Sequence, residues 1–186
     1  MRSQLNTLPD GLPIPVNDGM AAHLEGMPLP KTGLHATNGQ LINLSRYKHR
    51  LVIYVYPLTG RPELALPEGW DEIPGARGCT PQACDFSHHY QDLQALDAAV
   101  FGLSSQTTDY QLELKRRLHL PFDLLSDSGF LLHSTLELPV FKVDALQLYK
   151  RLTLVAEHGI IKKVFYPVFP PNQNAAQVID WLQNHS

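Results

Sequence analysis

The run Leu51-Val52-Ile53-Tyr54-Val55-Tyr56 is continuously apolar or aromatic and rich in β-branched residues. A strand with one wet face alternates polar and apolar positions. A run without alternation needs cover on both faces, as inside a parallel sheet flanked by helices. The residues that follow supply that cover. Phe86, Tyr90, Leu93 and Leu96 recur at helical spacing, and Val100 to Leu103 reads as a strand. Tyr110, Leu114 and Leu118 form another helical stripe before Pro121, and Phe122 to Leu125 make a short strand ending at Ser126-Asp127. Strand, helix, strand, helix, strand implies βαβ units in an α/β domain.

Flanking segments add antiparallel strands and make the sheet mixed. Asn38-Gly39 between two short runs, 34–37 and 40–44, is a strong signal for a two-residue hairpin turn. Residues 152–155 and 160–165 flank Glu157-His158-Gly159 as a second hairpin, and Asn172 or Asn174 is placed to cap a last helix carrying Val178, Ile179 and Leu182. Ten of the 15 prolines and nine of the 12 glycines fall in the first 81 residues, so regular structure should be sparse there. Residues 1–30 read as an extended N-terminal arm, with a short helical turn allowed at Ala21 to Gly26, and residues 31–186 as the domain. At 186 residues one core suffices without staples, since such a domain buries roughly 70% of its unfolded surface.

Charge and hydropathy remove several classes of function. Fifteen Lys and Arg against 18 Asp and Glu leave a net charge of -3, which argues against a general nucleic-acid surface. The longest apolar stretch, Leu51 to Leu58, is far short of the about 20 residues that a bilayer requires. The N-terminus lacks the apolar core of a secretory signal, so the expected location is cytoplasmic. In such a reducing compartment two cysteines are redox-active or metal-binding before they are a structural bridge.

Those cysteines stand in Gly78-Cys79-Thr80-Pro81-Gln82-Ala83-Cys84-Asp85-Phe86. Proline suits the first helical position and threonine the cap before it, so a helix should begin at Thr80-Pro81 with Cys79 just outside. Free amides and the positive end of the helix dipole would stabilise a thiolate at Cys79. Cys84, inside the first turns, would be the quieter thiol. If both residues were helical their α-carbons would stand about 8.6 Å apart, beyond the roughly 4.4 to 6.8 Å that a disulfide spans. A Cys79–Cys84 bond would therefore require the first turn to unwind.

The run Gly-Cys-Thr-x-Gln-Ala-Cys, following an apolar strand that ends Tyr-x-Tyr-Pro, resembles the peroxiredoxins of the bacterioferritin-comigratory (Q) type. Gly102-Leu103-Ser104, Leu120-Pro121-Phe122, Leu124-Leu125-Ser126-Asp127 and Arg151-Leu152-Thr153-Leu154 extend the resemblance from about Leu29 to the C-terminus. It implies a thioredoxin-like three-layer fold, a mixed central sheet flanked by helices. It further implies a thiol peroxidase acting on hydrogen peroxide and organic hydroperoxides, with Cys79 peroxidatic, Cys84 resolving through an intrachain disulfide, and Arg151 supporting the thiolate. No cofactor or metal is implied. The expected partners are a hydroperoxide and thioredoxin or a similar dithiol reductant, with a monomer or weak homodimer as the assembly.

One departure stands out. The family's loop reads Pro-x-x-x-Thr-x-x-Cys, whereas here Glu72 and Ala76 occupy the positions of Pro and Thr. Twenty-one residues separate Pro57 from Cys79, so an insertion at about 58–75 splits the motif. Pro57 is expected to shield the sulfur and Thr59 to supply the hydroxyl, with Thr80 as competitor and the insertion looping over the site. Trp70 is expected to pack, and the segment Phe165 to Pro171 is open between lining the site, forming an interface and covering a sheet edge.

Other readings of the same residues are weaker. Free cysteines are often buried small hydrophobes. Cys79, Cys84, His88 and His89 do not match zinc-ligand spacing. A disulfide oxidoreductase acting on proteins would show C-x-x-C. A non-catalytic redox sensor, in which oxidation melts the helix, remains the alternative from a different class.

Overall fold

A computed structural model describes residues 5–185; Ser186 and the first four residues of the expected arm lie outside the described residues. Strand β3 (Arg50–Val55) sits deep in a seven-stranded mixed sheet of order β2-β1-β5-β4-β3-β8-β9. It pairs in parallel with β4 (Ala98–Ser104), and β4 in parallel with β5 (Asp123–Ser126). On its other side β3 runs antiparallel to β8 (Leu152–Glu157), which forms the expected hairpin with β9 (Ile160–Phe165).

The unbroken apolar run is explained by cover on both faces. Leu51, Ile53 and Val55 enter one core with Leu24, Leu29, and Leu132 and Leu136 of α4 (Leu131–Leu136). Val52, Tyr54 and Tyr56 enter the other, with Phe86 of α1 (Cys79–His88), Leu93 of α2 (Tyr90–Ala95), Leu114 of α3 (Thr108–Leu118), and Val178 and Leu182 of α5 (Asn174–Asn184). Each such aliphatic side chain stabilises the fold by about 1.5–3 kcal/mol relative to exposure.

Local expectations need correction in four places. The single helical stripe over 86–96 is two helices, since the chain breaks at His89. The hairpin of β1 (Gly33–Ala36) and β2 (Leu41–Asn43) closes through a three-residue loop, with Ala36 N–H donating to the Gln40 carbonyl and Gly39 at φ 83, not through a two-residue turn. Neither Asn172 nor Asn174 caps α5; the Ala175 amide instead donates to the Asp85 carboxylate of α1, at 2.7 Å. Ala21 to Gly26 forms successive turns, with no helix.

Two elements had no sequence counterpart. The hairpin β6 (Val140–Val143) and β7 (Leu146–Tyr149) stands apart as a two-stranded sheet. Helix α4 is too short for a periodic signal. Its first amides, Leu131 and Leu132, donate to the Asp127 carboxylate, which also accepts from the Tyr149 hydroxyl.

Candidate active site

Strand geometry brings the candidate residues to one edge of the sheet. β3 ends at Val55, opposite Leu152 in antiparallel register, so the chain leaving β3 and the residue opening β8 meet there. Pro57 is buried at that exit, and Arg151 is buried beside it. After the long loop the chain returns at Cys79, the first residue of α1. The helix thus starts two residues earlier than a Thr80 cap with Pro81 in the first helical position predicts, so Cys79 lies inside it, and its cap is Gly78, with no side-chain hydrogen bond. A Cβ on Gly78 would come within 2.4 Å of Pro171 and 2.8 Å of Leu8, at a φ of 114 that favours glycine. This turn delivers the Cys79 side chain into the sheet edge. The Cys79 and Thr80 amides make no backbone hydrogen bond among the described residues, and Pro81 has none to donate.

Arg151 binds the sulfur. Its Nη2 lies 3.1 Å from Cys79 Sγ and donates also to the Ala76 carbonyl at 2.9 Å. Its Nε donates to the Gly75 carbonyl at 3.2 Å and its Nη1 to Gln82 Oε1 at 2.5 Å. Alternation along Arg-Leu-Thr-Leu permits an outward arginine; the structure turns it inward, because carbonyls of the loop and a buried glutamine satisfy the fork. A guanidinium fixed by this many bonds cannot swing away from the sulfur.

Gln82 is the residue that sequence reasoning missed. It is fully buried, one turn along α1 from Cys79, and its Nε2 donates to Asn174 Oδ1 at 3.1 Å. That same oxygen accepts from the Thr153 hydroxyl at 2.6 Å. Arg151, Gln82, Asn174 and Thr153 therefore form one buried polar chain linking β8, α1 and α5. A polar residue three positions after Cys79 on the inward side of the helix was the available signal.

Cys79 opens onto a cavity of about 310 Å3 that Thr59, Thr80 and Trp70 also line. From the segment between Pro57 and Cys79, Leu58, Leu66 and Trp70 supply much of the apolar wall. Trp70 is anchored as well, its ring 6.2 Å from Phe141 and packed with Leu148 on the β6–β7 hairpin. Gln106, also unforeseen, holds Thr59. The Thr59 amide and hydroxyl both donate to Gln106 Oε1, at 3.1 and 3.0 Å, and Gln106 Nε2 donates back to the Thr59 carbonyl at 3.1 Å. Thr80, freed from any capping duty, makes no side-chain hydrogen bond among the described residues.

Cys84 stands apart from this cavity. Both cysteines are free thiols in one continuous helix, and Cys84 is buried away from the cavity lining. Burial pushes the Cys84 thiol up from its ordinary range, and Arg117 only partly opposes this. Beneath α1, the Tyr54 ring stacks on Phe86 at 4.6 Å, and burial holds its phenol well above the ordinary value. His88 is exposed and His89 faces Asp85 and Asp92, so neither joins the cysteines. The Phe165 to Pro171 segment packs beside the site: Tyr166, Pro167 and Val168 wall a second, apolar cavity of about 350 Å3 together with Ile14, Pro15 and Val16 of the arm.

Comparison with known proteins points to one family. The Redoxin family model matches residues 24–179. The chain is 27% identical to the chloroplastic peroxiredoxin Q of Oryza sativa subsp. japonica over 161 residues, covering 86% of this chain and 67% of that one. It is 31% identical to the peroxiredoxin Bcp of Bacillus subtilis (strain 168) over 103 residues, 55% of this chain and 56% of that one. Among solved structures, a PrxQ mutant of Xylella fastidiosa superposes with a TM-score of 0.72 at 19% identity, covering 88% of this chain and 98% of the other. The bacterioferritin comigratory protein of Xanthomonas campestris gives 0.69 at 20% identity, with the same coverage. These structural likenesses establish the thioredoxin-like fold, and the sequence matches carry the family: the chain belongs to the Redoxin family, among its peroxiredoxins of the Q/Bcp type.

Proposed function

We propose that this peroxiredoxin-like thiol peroxidase reduces hydrogen peroxide and organic hydroperoxides at Cys79, with Cys84 as the resolving thiol. The observation that carries the reading is the 3.1 Å approach of Arg151 Nη2 to Cys79 Sγ at the first residue of a helix, at the end of a cavity. The guanidinium and the unpaired amides favour the anionic sulfur. The thiolate attacks the terminal peroxide oxygen as the O–O bond breaks; the sulfur is oxidised to the sulfenic acid, and the departing oxygen leaves as water or alcohol after taking a proton. Arg151 stands where it can donate to the charge that develops on that oxygen.

Two hydroxyls divide the remaining work. Thr59 has its proton committed to Gln106, so its lone pairs are left to accept the peroxide O–H and orient the substrate. Thr80 has its proton free to donate to the leaving oxygen. Pro57 shields the exit of β3 from water. The sulfenic acid then condenses with the Cys84 thiol, releasing water and forming a disulfide. Since both residues are helical, this step unwinds the first turns of α1. An external dithiol of the thioredoxin kind, in a reducing compartment such as the cytoplasm, restores both thiols by exchange.

Mass spectrometry after one equivalent of hydrogen peroxide is the test. Wild type should carry a 79–84 bridge, Cys84→Ser a trapped sulfenic acid, and Cys79→Ser neither. A Cys79→Ser protein that still consumes peroxide with a thioredoxin system would end this reading. A slow, stoichiometric oxidation without turnover would favour the sensor.

A further inference from the structure

Arginines gather at the mouth of the Cys79 cavity. Arg61, Arg77 and Arg117 all line it, and among the described residues no aspartate or glutamate does. Their ion-pair partners, Asp71 and Glu113, stand outside the lining, two carboxylates for three guanidinium groups. Arg77 Nη1 donates to Asp71 at 2.7 Å. Glu113 is taken in bidentate fashion by Arg117, whose Nε reaches Oε1 at 2.7 Å and whose Nη2 reaches Oε2 at 3.4 Å. Arg117 Nη2 also donates to the Gly60 carbonyl at 3.1 Å, tying α3 to the insertion.

Arg61 is left over. Its Nε faces Glu113 at 3.7 Å and is buried without a hydrogen-bond partner, so the donors left to a ligand are Nη1 and Nη2, which make no hydrogen bond among the described residues. Its guanidinium carbon lies 4.1 Å from the centroid of the Tyr110 ring, which holds the group in place without using its donors. A stacked guanidinium with unspent N–H groups matches the planar geometry of a carboxylate. The rest of the wall, Leu58, Leu66 and Trp70, is apolar.

We propose that Arg61 is a specificity-determining residue, which selects organic hydroperoxides bearing a carboxylate by pairing with that group while the apolar body lies against Trp70 and Leu66. The inference rests on the peroxidase reading above, and the insertion that splits the family's loop is what supplies the residue. Two substrates of matched shape test it: the para-carboxylate derivative of cumene hydroperoxide and the methyl ester of that derivative, with hydrogen peroxide as a third arm. Wild type should favour the carboxylate over the ester by about tenfold in kcat/KM, and the preference should shrink with added salt. Arg61→Gln should bring the ratio close to one, and Arg61→Lys should keep only part of it. Because each ratio is taken within one protein, lost stability does not mimic the effect. Equal rates for acid and ester in wild type, or an unchanged ratio in Arg61→Gln, would overturn the assignment of Arg61 alone. Absence of turnover with all three peroxides would overturn the peroxidase reading and this inference together.

Discussion

The wall behind Cys79 is fixed by buried polar bonds from three elements, whereas the wall in front of it beyond Thr59, residues 60–72, is held by apolar packing, the Arg117 bond to Gly60 and partly exposed ion pairs. Behind the sulfur, Arg151, Gln82, Asn174 and Thr153 satisfy one another in a site closed to water. In front, Trp70 leans on Phe141 and Arg117 ties down Gly60. A buried hydrogen bond is costly to leave half-made, while surface pairs contribute little individually. The rear wall is therefore built to hold one geometry and the front wall to accommodate different substrates.

The largest effect should come from Arg151→Met. It removes the donor beside the sulfur and strands the Gly75 and Ala76 carbonyls and Gln82 Oε1. Peroxide reduction measured by stopped flow should fall by about 10²–10³-fold, with a stability loss of about 2–4 kcal/mol in denaturant titration. A loss under tenfold would mean that the rear wall does not set the chemistry. Gln82→Leu comes next: it leaves Arg151 Nη1 unpaired and takes one of two donors from Asn174 Oδ1, which keeps its bond from Thr153, and should cost about 1–3 kcal/mol and about tenfold in rate through a loosened guanidinium. Full activity in this variant would show that Arg151 positions itself.

Trp70→Ala tests the front wall. It should raise KM for cumene hydroperoxide several-fold and change kcat less, the reverse of the rear-wall pattern. A fall mainly in kcat would erase the distinction between the walls. Helix unwinding offers a further check. With Cys84 buried and its thiol pushed up, alkylation of Cys84 by iodoacetamide near neutral pH should be slow in the reduced protein. If Cys84 reacts as fast as Cys79, α1 is already open before oxidation.

The smallest effect concerns the arm. Burial alone would raise the Asp18 carboxyl, but hydrogen bonds from Lys150 and Tyr166 outweigh it and hold the group at about 2. A depressed carboxyl adds stability above its unfolded value of about 4, and loses it as pH falls toward 2. Protease cleavage within residues 9–17 should therefore be flat from pH 5 to 9 and rise only in strong acid. Asp18→Asn should raise it modestly from pH 5 to 9 and leave it little changed in strong acid, since the pair is partly exposed and the wild-type carboxyl is already neutral there.

The amino-acid pattern by itself determined the sheet and the place of the chemistry. An apolar run with no alternation demands cover on both faces, and the Thr80-Pro81 pair marks where α1 starts to within two residues. The resemblance named Arg151, yet its surroundings in the sequence allow an outward side chain equally well. Only the tertiary structure turned it inward, because the acceptors that satisfy it, Gly75, Ala76 and Gln82, lie 69 to 76 positions away along the chain. The same holds for Gln106 on Thr59 and Asp85 on α5, 47 and 90 positions apart. Periodicity reports which face of an element is buried; it carries no record of which distant polar group will complete another, since that is settled by packing.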